Sequence, residues 1–285
     1  MHAAGLGFRA GLVFVLAAAV AGAQARKIHE YRLHEQEDRG TQFAMTVGPD
    51  HTVYTLIPRR DGNWILSKVK DWWQDKPTEL GIAVQGFSAR DPVGSLDQMD
   101  LAVTPDGQYL VTIVSADLRV SPDDLYPTDL LVEVVRLSDF GVVDTEHMRA
   151  LGMRGHMRGG LDRAGHLLVR SQIMPQGGGS SAPFDTVFAV TVPEMKPQLV
   201  CSYESGDAAG MESSCGDFAK KEGYASAAEL AQSVWRTAPA PPQTLPAGLS
   251  LPAKDRWQSA SVTLDGKPLT LVVINGVNLE VFAAE

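Results

Sequence analysis

The chain has 285 residues, 44% of them hydrophobic and 21% charged, with a formal net charge of −9. So acidic a chain excludes a basic surface for nucleic acid and argues against docking on anionic lipid. Beyond the first 25 residues no segment is long and apolar enough to form a membrane-spanning helix.

The N-terminus reads as a signal peptide over residues 1–25. Arg9 supplies a modest positive charge, AGLVFVLAAAV (10–20) an apolar run too short to span a bilayer, and Ala23-Gln24-Ala25 a small-x-small cleavage pattern. No cysteine lies near the cut, so no lipid anchor is indicated. The expected mature chain, residues 26–285, is soluble and exported, periplasmic or extracellular, and forms a single domain.

Four stretches then repeat one piece of β-structure: AMTVGPDHTVYTLI (44–57), LAVTPDGQYLVTIV (101–114), GGLDRAGHLLVR (159–170) and ASVTLDGKPLTLVVI (260–274). Each has a short apolar strand, an Asp-containing turn and a second strand rich in Leu, Val, Ile or Tyr. Asp50, Asp106 and Asp162 recur with a period of 56 residues. A fixed period of this length predicts an all-β fold, a small propeller of four or five blades with four strands each. An irregular β-sandwich is the rival architecture.

In the first repeat, Gly48-Pro49-Asp50 turns the first hairpin, Asp61-Gly62 leads into NWILSKV, and TELGIAVQGF forms the outer strand. The second continues through LLVEVVRLSDFGVVDTEHM after a polar excursion. The third runs through a glycine-rich loop to TVFAVTV and QLVCSY. Cys201 and Cys215 are expected to pair in an oxidising compartment, closing a loop of about 15 residues. Residues 204–256 break the pattern. Ser226 and Glu229 form a capping-box pair, and Leu230, Ala231, Val234 and Trp235 share one helical face. Five prolines between 239 and 252 then exclude helix. This segment reads as a helical, Pro-rich insertion or a degenerate blade. The last repeat turns on Asn275-Gly276 and has only three strands. KIHEYRLHE (27–35) is the spare strand that would complete it and close the ring.

The phrase AVTPDGQYLVTI (102–113) resembles the strand–PDG–strand element of TolB, YVTN and WD40-like propellers, and the likeness covers about half of the mature chain. The element is a turn device. The resemblance therefore implies fold and leaves activity open, since propellers host binding modules, scaffolds and unrelated enzymes.

Connections between blades gather at one mouth of a propeller, and here each carries arginine: Arg39, Arg90, Arg154 with Arg158, and Arg256. Converging guanidinium groups, with His156 as a further donor, would hold a carboxylate or phosphate. The alternative is that they pair with Asp38, Asp91 and Asp255 and lock adjacent blades. The segment HMRALGMRGHMRGG (147–160) offers Met and His to copper, but its three arginines would repel a cation. Asp91, Asp97, Asp100, Asp123, Asp124 and Asp129 are ordinary turn residues or, in pairs, glycan-cleaving carboxylates. Trp72 and Trp73 are expected to pack between blades. Nucleophile elbow, phosphate loop and EF-hand patterns are absent, and no cofactor or metal is indicated. The leading expectation is a non-catalytic binding or scaffold module for a protein partner or a small anionic ligand, bound through Arg90, Arg154, His156, Arg158 and Arg256. The alternative is a glycan-acting hydrolase using Asp91, Asp97 or Asp123.

Overall fold

The recurring aspartate has a local physical task, and it is the same in three repeats. Its carboxylate accepts the backbone N–H two residues on: Asp50 from Thr52 (3.1 Å), Asp106 from Gln108 (3.0 Å) and Asp162 from Ala164 (2.9 Å). The fourth repeat turns by other means. Asp265 and Gly266 both adopt positive φ, 50° and 75°, in a two-residue loop between Leu264 and Lys267, which is type I′ geometry.

These turns organise a computed structural model that describes residues 25–33, 43–58, 64–74, 76–84, 93–118, 128–148, 156–173, 183–235, 245, 249–252 and 255–284. The first strand is β1 (Ala25–Arg32). Blade 1 comprises β2 (Ala44–Val47), β3 (Val53–Pro58), β4 (Trp64–Lys70) and β5 (Thr78–Val84). Blade 2 comprises β6 (Val93–Val103), β7 (Tyr109–Leu118), β8 (Thr128–Arg136) and β9 (Gly141–Met148). Blade 3 follows as β10 (His156–Leu161), β11 (Leu167–Ile173), β12 (Phe184–Thr191) and β13 (Lys196–Glu204). Two helices, α1 (Ala208–Lys221) and α2 (Ala227–Val234), precede β14 (Trp257–Leu264), β15 (Lys267–Ile274) and β16 (Asn278–Ala284).

Each blade is a four-stranded antiparallel sheet, and together they form a four-bladed β-propeller. Blade 4 has the order β14-β15-β16-β1. β1 pairs along β16 from Ala25↔Ala284 to Arg32↔Asn278, so the first strand completes the last blade, as the strand count requires. The signal-peptide assignment for residues 1–24 lies outside the described residues.

The middle strands are apolar on both faces because each blade packs against two neighbours. In β3, Tyr54 and Leu56 face blade 2, while Val53 and Ile57 face blade 4. In β8, Leu131 and Val135 meet blade 1, while Leu130, Val132 and Val134 meet blade 3. Burying one such Leu, Val or Ile side chain stabilises by roughly 1.5–3 kcal/mol.

The junction between blades 3 and 4 is built differently. The free face of blade 3 (Leu168, Val187, Cys201, Tyr203) is covered by Cys215, Leu230, Val234 and Trp235 of the helices. The free face of blade 4 (Val272, Ile274, Phe282) is covered by Leu245, Leu249 and Leu251. The helical, Pro-rich insertion thus takes the place of a direct core between these two blades. Ser226 caps α2 by accepting the Glu229 N–H, and Trp235 donates its indole N–H to the Leu168 carbonyl. A disulfide joins Cys201 on β13 to Cys215 on α1.

Three details differ from the sequence reading. α1 was not expected; Asp207 caps it, and its buried side is only Cys215, Gly216 and Ala219. β6 and β10 start inside segments read as connectors, so Asp97, His156 and Arg158 are strand residues. Trp72 and Trp73 occupy a turn after β4 and not a strand, yet they pack between blades 1 and 4 as expected: Trp72 is buried there, donates to the His51 carbonyl and meets Trp73 edge-on at 5.1 Å.

Candidate functional site

The inner strands β2, β6, β10 and β14 begin at one end of the ring, and two glutamine side chains fasten them there. Gln258 on β14 accepts the Met45 N–H (2.8 Å) and donates to the Phe43 carbonyl (2.7 Å). Gln98 on β6 does the same to one residue of β10, accepting from Gly159 N–H (3.1 Å) and donating to its carbonyl (2.6 Å). A primary amide offers one acceptor and two donors, so each glutamine imitates a stretch of neighbouring strand. The mouth is therefore held by backbone-directed bonds across blades.

Between blades 2 and 3 this mouth opens a cleft of about 270 Å³ lined by Asp97, His156, Arg158, Arg170 and Gln172. Its floor follows from strand register. Arg158 on β10 lies directly opposite Arg170 on β11, and His156 opposite Gln172. Residues two apart share a face, so all four belong to one side of the hairpin. Like charges directly opposite are destabilising unless something offsets them. Two aspartates do so. Asp97 of blade 2 accepts from Arg158 Nε and Nη2, both at 3.1 Å, with the two side chains 30% and 32% exposed. Asp185 on β12 accepts from Arg170 Nη2 at 3.0 Å and is itself 1% exposed. Its second oxygen is buried without a hydrogen bond among the described residues.

A guanidinium carries five N–H donors. Asp97 engages two on Arg158 and Asp185 one on Arg170. The remaining donors sit on two pre-oriented planar groups against one cleft. Such an arrangement is suited to a carboxylate or a phosphate.

Arg256 lines a second cavity of about 430 Å³ with Phe43, Leu96, Met99 and Trp257, and the two cavities meet at Asp97. The expected pairing of Arg256 with Asp255 is not formed: the Asp255 carboxylate accepts from Asn275 Nδ2 at 3.0 Å. The structure thus places His156 and Arg158 in one cleft and Arg256 in the adjoining one. Arg39, Arg90 and Arg154 lie outside the described residues, as do Asp38, Asp91 and Asp123.

Of the Met-Arg segment, residues 149–155 lie outside the described residues. Met157 is buried between blades 2 and 3, and His147 is paired with buried Asp129 on β8 at 2.9 Å. Asp97, offered to a hydrolase, has both oxygens engaged by Arg158. Arg170 and Gln172 were missed in the sequence. Counting outward from the Asp162–His166 turn would have set Arg158 opposite Arg170.

No protein-family model matches the chain and no curated protein matches it in sequence, so the functional reading stands on this geometry.

Proposed function

We propose that this protein is an exported, non-catalytic binding module whose mouth holds a small anion, or the acidic group of a protein partner, between blades 2 and 3. One observation carries the reading: Arg158 and Arg170 are cross-strand neighbours in a cleft that His156 and Gln172 share. An anion between the guanidinium groups would engage the N–H donors that Asp97 and Asp185 do not use. The adjoining cavity with Arg256 would lengthen the site for a larger ligand. The TPDG turn of blade 2 supports kinship with TolB, YVTN and WD40-like repeat propellers, and a signal peptide over residues 1–25 supports export.

The test is a thermal-shift panel of inorganic phosphate, dicarboxylates and neutral sugars. Replacing Arg170 by Gln would strand buried Asp185 as an unpaired charge, at a cost of about 3–5 kcal/mol. Arg170→Lys avoids this, because it keeps the charge and loses the planar fork. At least one anion raises the melting temperature of the wild type, and Arg158→Gln and Arg170→Lys each weaken its binding about tenfold, or ~1.4 kcal/mol. If no anion stabilises the protein, or if both variants bind as well as wild type, the reading is wrong.

A further inference from the structure

The opposite end of blade 3 carries a second cluster that this function does not use. Asp162 ends the inner strand, His166 closes the turn that follows, and Glu222 is the C-cap residue of α1. His166 Nδ1 lies 3.2 Å from Asp162 Oδ2 and 3.7 Å from Glu222 Oε2, and the three donor atoms all lie within 4.8 Å of one another. We propose that Asp162, His166 and Glu222 bind a zinc-class divalent cation that fastens the helical insertion to blade 3.

The donor set is an imidazole and two carboxylates, which suits zinc and related transition ions better than calcium. Metal–ligand distances of about 2.0–2.2 Å put neighbouring donors of a tetrahedral site about 3.4 Å apart, and the two observed separations straddle that value. Both carboxylates are withdrawn from solvent: the Asp162 side chain is 0% exposed and that of Glu222 is 8% exposed. Two buried carboxylates this close repel each other unless a cation lies between them.

Each ligand is oriented by a different device. Asp162 Oδ1 accepts the N–H groups of Ala164 and His166, both at 2.9 Å, which leaves Oδ2 directed at the imidazole. The Glu222 carboxylate accepts no hydrogen bond among the described residues, although it is buried and faces His166; the exposed ammonium of Lys221 lies 3.8 Å from its other oxygen. A bound cation would give that carboxylate a bonded partner. Arg163, inside the turn, holds the helix corner in place. It donates to the Gly223 carbonyl (2.9 Å) and to Glu229 (2.7 Å), and lies over the Tyr224 ring. The two halves of the site are therefore already docked. Three protein ligands leave a fourth position for water.

The experiment uses the mature protein without a histidine tag. It is stripped with EDTA, titrated with zinc by calorimetry, and its bound metal is measured after dialysis. The wild type retains one zinc per chain and melts at a higher temperature with zinc than with EDTA, while calcium at the same concentration leaves the melting temperature unchanged. His166→Ala and Glu222→Gln each weaken binding by roughly 100-fold or more, beyond the 10–100-fold typical of losing an outer-shell partner. Far-UV circular dichroism checks that both variants fold, and the wild-type titration stands alone if one does not. Failure to retain zinc would overturn the proposal, and so would calcium binding in its place or unchanged affinity in both variants. In those cases His166 is simply a hydrogen-bonded link between two acids.

Discussion

Single side chains set the turns from which the blades are built, and Asp106 shows how. Hydrogen bonds from the Thr104 hydroxyl and then the Gln108 N–H hold its carboxyl below the ordinary value of 3.8. A depressed value in the folded state means stabilisation that is fully present above the ordinary value and lost as pH falls through the folded one. Asp106→Asn keeps an acceptor and removes the charge. The variant should therefore be less stable than wild type at about pH 7, with the gap narrowing as pH falls below 3.8, as read by urea denaturation. A gap independent of pH would show that the charge does not contribute. This part of the fold was legible because an Asp-capped turn is a local device that reads directly from residue order. Arg170 was not so legible. Its importance depends on which residue lies across the ladder, and an isolated Arg in LLVRSQ carries no such mark.

At the scale of elements, the decisive contact is between α2 and β10. A Cβ built on Gly160 would lie 2.2 Å from the Val234 carbonyl oxygen and 2.8 Å from its Cγ1. The helix end thus rests on the bare backbone of the inner strand. Gly160→Ala should force the two apart and destabilise the protein by about 1–3 kcal/mol in denaturant titration. A neutral effect would mean that α2 is not seated there. The helix itself was readable from Ser226, Glu229 and the apolar spacing that follows. α1 was not, because it buries mainly small residues and carries Gly210 and Gly216 within its span. Its stability comes from docking and from the Cys201–Cys215 bond, which propensity does not reveal. The proposed zinc site was hidden for a related reason: Glu222 reaches Asp162 and His166 only after that docking.

For the whole molecule, closure decides the outcome. β1 covers the outer edge of β16, and without it a strand of exposed backbone donors and acceptors would face solvent. A chain lacking residues 25–33 should lose cooperative unfolding or form aggregates detectable by light scattering. If it remained monomeric with unchanged stability, β1 would not be what closes the ring. This closure followed from counting strands, whereas the sequence left four or five blades open and the structure shows four. The convergence of arginines could not be counted in that way, because it depends on the register of every inner strand. The account of function depends on two guanidinium groups acting together, so the most direct measurement is arginine side-chain NMR. Nε–H resonances of labelled protein would be followed during titration with the anion that stabilises it most. The account predicts that the Arg158 and Arg170 signals shift together along one saturating curve, while that of Arg136, paired with Asp139 on blade 2, stays fixed. Shifts spread evenly over surface arginines, or none at Arg170, would contradict it.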